Sequence, residues 1–73
     1  MSADNFVFVK KFGPNDFRWG MGFGDEVDEG VLPDERLTHG PFKTPKEAIN
    51  DAYNDCMIIE YGVQLHDNCL VTE

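Results

Sequence analysis

Two segments of alternating apolar residues, joined by a turn, constrain the fold of this chain more than any other feature. Residues 5–12 place three phenylalanines on one face of an extended strand, and residues 17–24 alternate bulky side chains strictly with arginine and glycines. An alternation with a period of two predicts half-buried β-strands. The Gly-Pro-Asn-Asp run at residues 13–16 is a turn signal, because proline presets φ and Asn or Asp supplies local side-chain bonds. These segments predict two adjacent strands of a sheet.

The second strand has one face that is nearly free of side chains. Gly20, Gly22 and Gly24 fall on the face opposite the aromatic side chains of the same strand. Glycines inside a strand permit the close approach of another backbone, or they leave a bare surface. A twisted or bulged strand within a small sheet is the interpretation we favour from sequence alone.

The segment that begins at Thr44 gives the strongest helix signal in the chain. Thr44 fits the N-cap, Pro45 fits the first helical position, and Glu47 completes a capping box. Gly62 fits the position just after a helix C-terminus. These signals predict a long helix, and its buried face has the spacing of one helical stripe: Ala48, Ile49, Ala52, Tyr53, Cys56 and Ile59 or Glu60.

The remaining segments complete an α+β prediction. Residues 37–39 predict a short third strand, and residues 63–66 and 69–72 predict a hairpin about Asp67-Asn68. The expected architecture is a small antiparallel sheet of three to four strands packed against one long helix. We expect a single domain over residues 1–73 with a thin core, because so short a chain buries only about 60% of its unfolded surface.

The two cysteines and the apolar runs bear on the cellular compartment. Cys56 and Cys69 lack the spacing of a metal site and follow no secretory segment, which favours free buried thiols; one disulfide is the alternative. No apolar run approaches the ~18 residues of a membrane span. We therefore expect a soluble, cytoplasmic protein that does not bind membranes.

Negative charge is concentrated in the later part of the chain. Of the 14 acidic residues, twelve follow Gly24, and the only bases beside them are Arg36, Lys43 and Lys46. Residues 25–73 thus carry a formal charge of −9, against +1 for the first 24 residues. Such a field repels nucleic acid and anionic membranes and attracts basic surfaces.

Two groups of acids form the predicted binding surface. Six lie in an irregular loop over residues 25–41, and three recur every fourth residue along the solvent side of the helix. Four helical residues rise about 6 Å, close to the spacing of successive phosphates on one strand. An acidic but merely solvated face stays open as the alternative. The predicted partner-binding residues are Asp25, Glu26, Asp28, Glu29, Asp34, Glu35, Glu47, Asp51 and Asp55.

Several chemical functions do not fit the sequence. With Gly30 at the sixth position of a calcium loop, Val27 falls on the third and Arg36 on the twelfth, which excludes an EF-hand. His39 and His66 have no arrangement with a cysteine that suggests a nucleophile and its base. The strand glycines precede acids and no helix, so they form no phosphate loop. We expect no enzyme, cofactor or metal site, and no direct binding of nucleic acid, since the bases are few and scattered.

The first five residues, Met-Ser-Ala-Asp-Asn, stand directly before an apolar strand, and this beginning resembles that of many small phage-encoded proteins. Size, charge and the strand–strand–helix order also resemble the acidic anti-CRISPR proteins and other phage-encoded DNA mimics. The resemblance implies that carboxylates take the place of phosphates in the basic DNA channel of a host CRISPR surveillance complex or nuclease, in the host cytoplasm.

Two other functions stay open. A small phage accessory protein would bind a partner through its sheet and the glycine-lined strand face, and salt would weaken that binding little. A metal-dependent activity of the acidic loop would be exposed by a chelator.

Overall fold

A four-stranded sheet built on the predicted hairpin organises the chain. The computed structural model describes residues 4–55 and 58–70. Strands β1 (Asn5–Gly13) and β2 (Asp16–Phe23) pair antiparallel, and β3 (His39–Phe42) pairs antiparallel with β2. Strand β4 (Val63–Leu65) pairs parallel with β1, which gives the order β3-β2-β1-β4. The α+β class is confirmed.

The hairpin between β1 and β2 closes at the predicted turn. Asn15 has a φ of 55°, in the left-handed region that asparagine tolerates better than most residues. The register between the strands shifts once, between Lys11 and Gly13, close to this turn. Over the rest of its length the pairing is regular, and it places Phe6 and Phe8 opposite Gly22 and Gly20, and Val7 and Val9 opposite Met21 and Trp19.

Helix α1 (Glu26–Glu29) and helix α2 (Pro45–Asp55) follow β2 and β3. The start of α2 is as predicted, because the Thr44 hydroxyl accepts the Glu47 N–H at 3.1 Å. The return bond of the capping box is displaced by one residue: the Glu47 carboxylate accepts the N–H of Lys43 at 3.4 Å. Ala48 and Ala52 of α2 are buried against the sheet.

The prediction of a long helix is wrong. Helix α2 has 11 residues, Tyr53 is 49% exposed, and residues 58 and 59 are not helical. Gly62, with a φ of 76°, lies in a turn before β4 and does not cap the helix. The reason is a competing set of bonds: Asn5 binds the backbone of residues 58, 60 and 61, which draws this segment onto the sheet. Cys56 lies outside the described residues.

The prediction of a purely antiparallel sheet is also wrong, as is the last hairpin. Residues 63–65 pair with β1 in parallel, and residues 67–70 form a 3₁₀ helix, Asp67–Leu70. Asn68 fixes this helix, since its side-chain oxygen accepts the Lys11 N–H and its amide donates to the Lys11 carbonyl. Residues 71 and 72 of the predicted hairpin lie outside the described part.

The sheet is covered on both faces. On one face α2 packs over a cluster of buried residues: Val7, Val9, Phe17, Trp19, Ala48 and Ala52. On the other face lies the chain between β2 and β3, here named the acidic segment (residues 25–37), with a second buried cluster: Phe6, Phe8, Leu32 and Leu37. Because Leu37 is buried in this layer, the third strand begins only at His39.

The glycines of β2 are explained by this second layer. A Cβ at Gly20 would overlap the carbonyl oxygen of Arg36, and one at Gly22 would overlap the Phe6 ring. The pairing of β2 with β1 is regular at both positions, so the glycines mark no bulge there. Gly20 permits the close approach of the Arg36 backbone, and Gly22 leaves room for the Phe6 ring and the Leu32 side chain. Across residues 4–55 and 58–70, no helix is long and apolar enough to cross a membrane.

Candidate acidic binding surface

The acidic segment is more ordered than its sequence predicts. It contains α1 and a 3₁₀ helix, Asp34–Arg36, where the sequence predicts an irregular loop. Leu32 and Leu37 are buried beneath it, and Val27 packs against the same cluster. Val27, Leu32 and Leu37 therefore hold the segment on the sheet, and its acids other than Glu26 are exposed.

An ion pair closes the segment on itself. The Arg36 guanidinium binds both carboxylate oxygens of Glu26 and donates to the Met21 carbonyl at 2.9 Å. Glu26 also accepts the N–H of Phe23 at 3.0 Å. The bond from Arg36, and then the bond from Phe23, lower the pKa of the Glu26 carboxyl below its ordinary value of 4.5. Glu26 and Arg36 thus tie α1 to the 3₁₀ helix and to the end of β2.

This ion pair predicts a pH dependence of stability. Because the pKa of Glu26 is lowered by folding, its contribution is present above 4.5 and is lost as the pH falls through the lower value of the folded state. Urea unfolding of the wild type and of Glu26→Gln, between about pH 3 and about pH 6, checks this. We expect the wild type to be the more stable at the upper pH and the two to converge in acid. Parallel pH profiles would contradict it.

A second acid of the segment is also paired. Asp34 binds the Lys10 ammonium at 2.7 Å, and the same ammonium lies 5.6 Å from the centre of the Phe12 ring. Glu26 thus holds the segment, and Asp34 forms an exposed ion pair with Lys10; the sequence predicts both as partner-binding residues. The acids of the segment that remain exposed, with no side-chain bond among the described residues, are Asp25, Asp28, Glu29 and Glu35.

The acids of α2 do not form one solvent-facing line. Asp51 accepts the indole N–H of the buried Trp19 at 3.0 Å, whereas Glu47 and Asp55 are exposed. Asp51 is therefore only partly exposed and is bonded to β2, a central strand of the sheet. The prediction that Asp51 lies on the solvent side is wrong.

The two acidic groups lie on opposite faces of the sheet. Alternation along β1 sends Val7 to the helix face and Phe6 to the face of the acidic segment, and the two buried clusters separate in the same way. The nine predicted residues are consequently not brought into one surface. The acidic segment is the larger of the two exposed groups and the one fixed by ion pairs.

Sequence reasoning missed one organising residue, Asn5. It is the buried polar residue of the described core, 5% exposed, and it binds residues 58 and 60 through its side chain. The available signal was its place in β1, on the same face as Val7 and Val9. A polar residue on an inward face needs hydrogen-bond partners, but local sequence does not say where they lie.

The other chemical groups are dispersed. Within the described residues no three His, Cys, Asp or Glu side chains lie together as a metal site would require, and no pocket opens. His39 stacks on Trp19 with ring centres 3.9 Å apart, and the His66 ring accepts the Asn68 N–H. Cys69 is a free thiol whose pKa is raised by burial.

Comparison with known proteins adds no relative from which a role could be transferred. No family model matches the chain, and no curated protein and no solved structure is significantly similar to it. Its function is therefore argued from the surface that its own residues build.

Proposed function

We propose that this chain is a small phage-encoded inhibitor of the anti-CRISPR type, without catalytic activity, that binds a basic nucleic-acid-binding host protein in competition with DNA. The target class is a CRISPR surveillance complex or a nuclease. The binding surface is the acidic segment, where four carboxylates take the place of phosphates: Asp25, Asp28, Glu29 and Glu35. The observation that carries the proposal is the anchoring of this segment on the sheet.

Anchoring matters because a flexible acidic loop would lose conformational entropy when it binds. The backbone of the segment is held by Leu32 and Leu37 from below and by the Arg36–Glu26 pair from the side. The carboxylates between these anchors are consequently pre-organised. Lysine and arginine side chains placed to meet phosphates form charge-assisted hydrogen bonds with carboxylates as well.

The balance of charge supports the same class of partner. The chain carries −8, and within the segment the single base, Arg36, is already paired with Glu26. Such a surface attracts a basic channel and raises the rate of association at low salt. It also opposes direct contact with DNA, so competition arises through the shared target.

Neutralising the exposed acids is expected to abolish the competition. The variant Asp25→Asn/Asp28→Asn/Glu29→Gln should compete at least about tenfold less well for a purified surveillance complex or nuclease, because three charge-assisted contacts are weakened. The measurement is displacement of a fluorescent DNA duplex from each member of a panel of such proteins, at low and high salt. We expect the wild type to displace DNA from at least one member, and more weakly as salt rises.

A control variant separates this surface from net charge. Glu47→Gln/Asp55→Asn/Asp67→Asn removes the same number of charges at exposed positions outside the segment. It should compete as the wild type does. Equal loss in the two variants would show that net charge alone acts, and failure of the wild type to displace DNA from any member would refute the proposal.

The alternative of an accessory protein that binds through the glycine-lined strand face has less support. Leu32, Arg36 and Leu37 of the chain itself cover Gly20 and Gly22. A partner could reach that face only if the acidic segment left the sheet.

A further inference from the structure

Three exposed apolar residues lie around Asn5 at one end of the sheet, which we name the apolar end: Phe23, Ile58 and Tyr61. They are 53%, 70% and 52% exposed. Phe23 is the last residue of β2, and the other two lie in the segment that connects α2 with β4.

One buried residue brings these three together. Asn5 pairs with Phe23 across the two strands, and its side-chain amide donates to the Ile58 carbonyl at 2.9 Å. Its backbone carbonyl accepts the Tyr61 N–H, also at 2.9 Å. Asn5 itself is 5% exposed. The apolar end is therefore a fixed feature of the fold, because the buried Asn5 holds its parts together.

Acidic residues are neighbours of the apolar end along the chain. The Asp4 N–H donates to the Glu60 carboxylate at 2.8 Å, and the Asp4 carbonyl accepts the N–H of Gly24, the residue before Asp25. Residues 4–5, 23–26 and 58–62 include no lysine or arginine. An exposed apolar group with acidic neighbours is complementary to apolar side chains surrounded by lysine or arginine.

We propose that the apolar end is a docking surface for a basic amphipathic protein segment, which places apolar side chains against Phe23 and Ile58 and lysines or arginines against the neighbouring carboxylates. This inference rests on the proposed function for the basic character of the partner, and it adds where the apolar part of the contact lies. Aromatic side chains near the centre of an interface commonly carry much of its affinity, while charges mainly set the rate of association.

The same charges disfavour the other occupants. A second copy of the chain would bring two sets of acidic residues together, and like charges in contact oppose association. An anionic membrane is repelled for the same reason. A basic amphipathic segment can pack apolar side chains on the apolar end and place lysines or arginines beside the neighbouring carboxylates.

Two synthetic peptides of roughly 20 residues test the proposal. One carries leucine and lysine at helical spacing, and the other has glutamine in place of each leucine, so that both bear the same charge. Fluorescence anisotropy gives the Kd of each for the intact protein. We expect the wild type to bind the leucine peptide more tightly, and Phe23→Ser/Ile58→Ser to raise the Kd of that peptide about tenfold or more without changing that of the glutamine peptide.

Val31→Ser is the matched control, because Val31 is 50% exposed but lies in the acidic segment on the other face of the sheet. It should leave both Kd values unchanged. Unchanged binding of the leucine peptide to Phe23→Ser/Ile58→Ser would overturn the proposal. If the double variant does not fold, Ile58→Ser alone serves, with a smaller expected rise of the Kd.

The remaining outcomes separate the two proposals and the other occupants. If Asp25→Asn/Asp28→Asn/Glu29→Gln raises the Kd of both peptides equally, the acidic segment contributes to binding of a basic partner. This result supports the proposed function whether or not the apolar end binds. A concentration-dependent dimer that Phe23→Ser/Ile58→Ser dissociates, measured by sedimentation, would overturn the proposal in favour of a second copy. Binding to phosphatidylcholine vesicles that the double variant loses would overturn it in favour of a lipid surface.

Discussion

Replacing Trp19 with alanine is expected to leave the chain largely unfolded at room temperature. The indole is 1% exposed and lies in the cluster that joins β1, β2 and α2. Truncation of a buried tryptophan removes about 3–5 kcal/mol of stability through lost burial and the cavity that remains. A domain of this size rarely has more than about 3–5 kcal/mol from its core. Circular dichroism and urea unfolding measure the effect.

The control for this prediction is an aromatic residue outside the core. Tyr53→Ala, at a position that is 49% exposed, should change the free energy of unfolding by no more than about 0.5 kcal/mol. A Trp19→Ala protein with a cooperative, wild-type-like transition would show that the cluster on the helix face does not hold the fold.

The hydrogen bond between Trp19 and Asp51 adds a finer test of the same region. Asp51→Leu leaves the indole N–H without an acceptor, which costs about 1–3 kcal/mol, whereas Asp51→Asn keeps an acceptor oxygen. We expect Asp51→Asn to be close to wild type. If both variants retained full stability, Asp51 would be a surface acid, as the sequence predicts.

Replacing Gly20 with valine is expected to displace the acidic segment from the sheet. Valine is favoured in strands, so intrinsic propensity alone would predict a gain in stability. The Cβ would instead overlap the carbonyl oxygen of Arg36, which belongs to the backbone and cannot rotate away. Overpacking of this kind costs about 1–3 kcal/mol, and more where backbone must move. The measurements are urea unfolding and amide hydrogen exchange in residues 25–37.

Gly13 offers the matched control, since a Cβ there would meet no atom within 4 Å. Gly13→Val should be neutral or slightly stabilising, because it restricts the unfolded chain. Wild-type stability and wild-type exchange of the acidic segment in Gly20→Val would show that the segment is not packed as described. Gly20→Val should also weaken the proposed competition with DNA, because the carboxylates of the acidic segment would lose their fixed positions.

The local parts of the fold could be predicted because their signals are local. Alternation defines β1 and β2, and the Thr44-Pro45 cap defines the start of α2. The end of α2 and the direction of β4 depend on partners far along the chain. A periodic apolar pattern continues past Asp55, yet the bonds from Asn5 to residues 58–61 prevail over it.

For the site, the sequence predicts only which part of the chain is rich in acidic residues. The sequence identifies the acids but not which of them pair, and Glu26, Asp34 and Asp51 are taken by Arg36, Lys10 and Trp19. Nor does it show that the segment and the helix lie on different faces, since that follows from the layer order. The glycines of β2 were the sequence signal for this layer, because a strand face without side chains permits another part of the chain to pack directly on it.

The parallel pairing of β4 with β1 bears on the order in which the chain folds. β1 and β2 are neighbours along the chain and can close within microseconds as a hairpin, whereas Asn5 and Glu60 are 55 positions apart. Closing so long a loop is entropically costly, and such contacts form late. During synthesis the edge of β1 that later pairs with β4 therefore stays unpaired until residues 58–65 emerge from the ribosome. For that interval the nascent chain exposes a hydrophobic strand edge, which is the stage at which misassembly with other chains is easiest.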